Sequence, residues 1–161
     1  MSNALEQKTI LILGCGNILF GDDGFGPTVV DRLLQEGTLP SHVLALNVGT
    51  SVREVLLDLL LSESKPRRLI ILDAVDHADR RPGEVFEIPV EDIAPEKIAD
   101  FSLHQFPTVN LLRELQDHFP VRVTILVAQV QNLPDQVQPG LSPSMRQAVA
   151  EACLMVQQWL G

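Results

Sequence analysis

Blocks of apolar residues recur along the chain with two periods, and the periods assign the elements. Ile10 to Leu13 is an unbroken apolar run of strand length, and Leu69 to Leu72 and Val121 to Val127 repeat that character. Such runs mark strands covered on both faces. Phe25 to Glu36 instead places Val29, Val30, Leu33 and Leu34 at helical spacing, and Gly37 follows as a stop. Val52 to Leu61 and Thr108 to Asp117 carry the same spacing, and Pro107 suits the first turn of the second. Ser144 to Leu160 has two apolar stripes, so much of its circumference is expected to be covered. His42 to Leu46 reads as a further strand, Asn47 to Ser51 as a turn in which Thr50 or Ser51 caps the next helix, and Glu84 to Ile88 as a half-exposed edge strand.

The order strand, helix, strand, helix, strand predicts right-handed crossovers and an α/β fold. The expectation is a single-domain three-layer sandwich over residues 1–161, with a mostly parallel doubly wound sheet and an antiparallel edge strand. At 161 residues the chain is long enough to bury a core without staples. Cys15 and Cys153 lie far apart in apolar contexts and read as small buried side chains rather than as a disulfide. No apolar run approaches the length of a signal core or a membrane span, so a cytoplasmic location is expected. The net charge of −9 argues against nucleic acid or an anionic membrane surface as partner.

Candidate chemistry concentrates where strands end. After Ile10 to Leu13, Gly14, Gly16, Gly21, Gly24 and Gly26 surround Asp22 and Asp23, just before the first helix. A dinucleotide-binding turn is the generic alternative, but Leu19 stands where its third glycine should fall, and two carboxylates would repel a pyrophosphate. One of the two aspartates has a simpler role open to it, favouring the first turn of a helix through the dipole. In a parallel sheet, sites form beyond the carboxyl ends of the strands. Asp23 follows the first strand and Asp73 ends the Leu69 to Leu72 strand, so both are expected on one edge.

His104, ahead of the helix at Thr108, adds an imidazole. Asp23, Asp73 and His104 together would offer two oxygen donors and one nitrogen donor to a borderline divalent ion such as zinc or nickel. Other roles stay open: His104 satisfied by a backbone carbonyl, Asp73 capping a turn, and Asp76 with His77 as a rival donor pair. His42 and His118 read as surface residues. No serine falls in a nucleophile elbow. Cys15 lies between two glycines but has no histidine partner evident in the sequence.

The segment Gly14-Cys15-Gly16-Asn17-Ile18-Leu19-Phe20-Gly21-Asp22-Asp23-Gly24-Phe25-Gly26 resembles the opening signature of the endopeptidases that mature the large subunit of nickel-iron hydrogenases. Leu69 to Val75 is similar to that family's second motif, with its Asp at Asp73, and Ser102-Leu103-His104-Gln105 to its third, with its His at His104. The acidic pair followed by Gly24-Phe25-Gly26-Pro27 looks most like the branch serving coenzyme F420-reducing hydrogenases. The resemblance implies removal of a short C-terminal extension from a nickel-loaded large-subunit precursor. It also implies that Asp23, Asp73 and His104 are catalytic and metal-contacting. The metal implied is nickel carried by the substrate, for which zinc or cadmium could substitute. Two departures stand out: Asp23 replaces the more usual Glu, and Asn47 stands where the family has the Asp of a D-G-G-T turn. The alternative to an enzyme is a non-catalytic chaperone or metal-sensing module that binds the same precursor.

Overall fold

A computed structural model of the chain describes residues 8–92 and 108–161; the side chains of residues 108 and 109 are not described. Among the described residues, five strands form one sheet, β1 Ile10–Cys15, β2 Val43–Gly49, β3 Arg68–Val75, β4 Val85–Glu87 and β5 Arg122–Gln129, and four α-helices accompany them, α1 Phe25–Glu36, α2 Val52–Leu61, α3 Thr108–His118 and α4 Pro143–Leu160. The strand order is β2-β1-β3-β5-β4, with β4 antiparallel to β5 and the other neighbours parallel. This is the expected architecture.

Strand alternation sorts the core into two layers. Leu11, Leu13, Leu69, Ile71, Val123 and Ile125 face α2 and α3, packing on Val52, Leu56, Leu59, Leu112 and Leu115. Ile12, Ile70, Leu72 and Leu126 face the other way, against Phe25, Val29, Val30 and Leu33 of α1 and Met145, Val149 and Val156 of α4. Phe25 is fully buried, and a side chain of that size contributes about 2–3 kcal/mol through burial. Covering on both faces explains why the central strands read as continuous apolar runs. Helix α4 buries one broad face, while Leu154 stays 60% exposed.

The element limits differ from expectation mainly at the carboxyl ends of strands. β1 runs on through Gly14 to Cys15, β2 through Asn47 to Gly49, and β3 through Asp73 to Val75. Parallel pairing to neighbours carries these residues in extended form past the end of the apolar signal. Asp73 therefore lies within its strand, two residues from the end, rather than terminating it. Ser51 does occupy the N-cap of α2, but its side chain makes no cap hydrogen bond. Its backbone carbonyl accepts from Val55 N–H instead.

Candidate functional site

Strand order reverses between β1 and β3, since β1 continues to β2 on one side and β3 leads away on the other. Such a switch point opens a crevice at the carboxyl ends of the two strands. The residues after β1 and at the end of β3 meet there. A 3₁₀ turn, Gly21–Gly24, carries Asp22 and Asp23 directly into α1. The helix start is pressed onto the sheet, because a Cβ on Gly26 would lie 2.3 Å from the Leu72 carbonyl oxygen and 2.4 Å from that of Cys15. Only glycine permits that approach.

The adjacent aspartates do different things. Asp22 is fully buried. Its carboxylate accepts hydrogen bonds from the backbone N–H of Gln131 at 2.8 Å, Asn132 at 2.8 Å and Ser142 at 2.7 Å, and from the Ser142 hydroxyl at 2.8 Å. It therefore ties the long segment after β5 to the turn after β1. Backbone bonds from Gly21 N–H to the Gln138 carbonyl and from Gln138 N–H to the Leu19 carbonyl reinforce the tie. The dipole role foreseen for one aspartate of the pair is thus overshadowed by a long-range anchor. Its donors lie more than a hundred residues away, which is why no local pattern revealed it.

Asp23 is half-buried, and its Oδ2 accepts from Asn17 N–H at 2.9 Å. Gly16 abuts it: φ is +135°, and a Cβ there would lie 2.0 Å from the Asp23 carbonyl oxygen. Asp73 is 1% exposed. Its Oδ1 accepts from Ala74 N–H at 2.8 Å, while its Oδ2 is buried without a hydrogen-bond partner. Burial first, and the charge of Asp23 second, push the Asp73 carboxyl well above the usual carboxylate range, against a smaller pull from the Ala74 N–H. The two carboxylates thus face each other electrostatically, as expected of residues on one edge.

Cys15 shares this environment. Burial, then Asp73, then Asp23, push its thiol well above the usual value, which opposes the thiolate a nucleophile needs. Cys153 is also pushed up, to about 11, chiefly by burial. Both cysteines are free and buried, as expected.

His104 lies outside the described residues, as do Ser102, Leu103, Gln105 and Pro107. In the rival pair, Gln129 engages the side chain of Asp76 but only the backbone of His77. Buried Gln129 accepts from His77 N–H at 2.7 Å and donates to Asp76 Oδ1 at 3.1 Å, holding the loop after β3. His42 and His118 are exposed, in keeping with surface roles. Among the described residues, no three His, Cys, Asp or Glu side chains gather as a metal-holding group. Two of the expected donors are nonetheless brought together, and a buried carboxylate with one unpartnered oxygen beside a second carboxylate fits a divalent cation.

Near the end of β2, Asn47 pairs with Gly14 of β1 and brings an amide beside the site. Its Nδ2 donates to Asp31 Oδ1 and Oδ2 of α1 at 3.3 and 3.4 Å, and its Oδ1 accepts from Gly49 N–H at 3.2 Å. The partnership with Asp31 had no signal in the sequence, because the two residues lie on different elements.

Residues 27–159 match the family model described as hydrogenase maturation protease. The chain is 31% identical to the coenzyme F420 hydrogenase subunit delta of Methanothermobacter thermautotrophicus, covering 94% of each chain. It is also 31% identical to the hydrogenase 2 maturation protease of Escherichia coli, over 89% of this chain and 85% of that one. The solved structure of the E. coli hydrogenase maturating endopeptidase HybD superposes with a TM-score of 0.71 at 30% identity, covering 94% of this chain and 91% of that chain.

Proposed function

The chain belongs to the hydrogenase maturation protease family, and from that premise we propose that it removes a short C-terminal extension from the nickel-loaded large-subunit precursor of a nickel-iron hydrogenase. The observation that carries this reading is the carboxylate pair at the switch point. Asp73 presents a buried, unpartnered Oδ2 next to Asp23. A carboxylate kept dry and beside a like charge is unfavourable by itself, and a dication brought up to the pair reverses both penalties.

Nickel is part of the substrate in this reading. Asp23 and Asp73 supply oxygen donors and His104 supplies nitrogen, and together they take up coordination positions that the precursor leaves open. Holding the ion holds the scissile peptide, so that proximity lowers the barrier while the cation stabilises negative charge developing on the carbonyl oxygen. Cys15 has no part in the chemistry, because burial and two carboxylates disfavour its thiolate.

Intact mass spectrometry of a nickel-loaded precursor, incubated with this protein or its Asp23→Asn variant, tests the reading. Loss of a short C-terminal peptide with the unsubstituted protein alone is expected. An unchanged precursor mass with the two proteins still co-eluting would mean a binding module rather than a peptidase. His104→Ala is expected to abolish processing while keeping the fold, and normal cleavage by that variant would remove His104 from the donor set.

A further inference from the structure

A continuous set of contacts runs from α1 to the Asp23 carboxylate. Asp31 is an acceptor only, so the Asn47 side chain must turn its NH₂ toward α1, which leaves its carbonyl oxygen for Gly49 N–H. The Gly49 carbonyl in turn accepts from Gly16 N–H at 2.9 Å. Gly16 presses on the Asp23 carbonyl, and the next amide, Asn17 N–H, donates to Asp23 Oδ2. Position 47 must therefore donate in one direction and accept in the other at the same length. Asn does both; Asp would accept in both directions and set a carboxylate against Asp31.

We propose that Asp31 and Asn47 act as a positioning pair, which holds the turn at the end of β2 against Gly16 and so keeps the Asp23 carboxylate aimed into the site. Asp31 and Asn47 touch neither nickel nor peptide in this assignment and act through the Gly16–Asn17 backbone. The consequence for turnover rests on the peptidase reading above, whereas the hold on the turn does not.

Three proteins decide the matter: Asn47→Asp, Asp31→Ala, and the exchanged double variant Asp31→Asn with Asn47→Asp. The exchange restores one amide–carboxylate contact with the donor on α1, and leaves the second oxygen of the carboxylate now at position 47 for Gly49 N–H. Native-state hydrogen exchange at Gly16 and Asn17 is read by NMR, together with kcat and KM for precursor processing. In Asn47→Asp and Asp31→Ala, exchange at both amides is expected to accelerate about tenfold, and kcat to fall roughly ten- to a hundredfold with little change in KM. The exchanged pair is expected to recover both. Unchanged exchange in the single variants, or failure of the exchanged pair to restore it, would overturn the proposal. Accelerated exchange with unchanged kcat would overturn the positioning role. If the unsubstituted protein processes no precursor, the peptidase reading falls, and exchange alone decides whether the pair holds the turn.

Discussion

Asp22 and Asp73 are equally inaccessible, at 0% and 1% exposure, on the same edge of one sheet, yet their surroundings oppose each other. Four hydrogen bonds converge on Asp22, three from backbone N–H groups of the segment after β5. Asp73 receives one, from its own neighbour Ala74, and keeps an unpartnered oxygen. Burial of a charge is tolerated when donors replace water and is costly when they do not. Asp22 is thus part of the framework, while the surroundings of Asp73 disfavour its ionised form.

Four substitutions probe that contrast, taken from the largest expected change in stability to the smallest. Asp22→Ala strands three backbone N–H groups and a hydroxyl, and should cost about 4 kcal/mol in urea unfolding; a loss below about 1 kcal/mol would mean the segment after β5 is held by other contacts. Gly16→Ala forces a Cβ to within 2.0 Å of the Asp23 carbonyl at a φ of +135°. A loss of about 3 kcal/mol is expected, with poor processing even in folded protein.

Asp73→Asn should behave in the opposite sense to Asp22→Ala, since it removes a carboxyl whose ionisation the folded protein disfavours. Thermal unfolding at neutral pH should show the variant no less stable than the parent, with processing abolished. The pH dependence sharpens this. With the Asp73 carboxyl raised in the folded state above its ordinary 3.8, the unfolded chain releases that proton first as pH climbs. The parent's stability from this group is therefore complete below 3.8 and declines as pH rises through the folded value. The amide of the variant does not titrate and has no such decline, so the gap should widen in the variant's favour as pH increases; a gap independent of pH would show that Asp73 does not titrate out of its usual range. Cys15→Ala should cost only about 1 kcal/mol and leave processing intact, and a loss of processing in folded protein would restore the thiol as a participant.

The architecture was largely legible because each element announced itself locally. Helices α1 and α2 have the limits that the spacing of Val29, Val30 and Leu33 and of Val52, Leu56 and Leu59 foretold, and the apolar runs of β1, β3 and β5 implied a sheet covered on both faces. The shared edge of Asp23 and Asp73 followed from topology alone. Less legible were the strand ends, where Gly14, Asn47 and Asp73 have little strand character of their own and are carried by pairing to a neighbour. The use of Gln129 to occupy Asp76 and the backbone of His77 was hidden for a similar reason, since residues 53 and 52 positions apart meet only across the folded sheet.

By itself, then, the sequence determined the period of each element, the parallel α/β plan and the presence of carboxylates at the turn after β1 and near the end of β3. These depend on side-chain spacing and local backbone preference, which act over a few residues. Tertiary structure alone decided that Asp22 serves the framework, that one oxygen of Asp73 is left unpartnered, and that Asn47 answers to Asp31. A carboxylate's role is set by the donors and charges around it, and here those donors come from segments as far off as Ser142, brought within 2.7 Å of Asp22 only once the chain has closed.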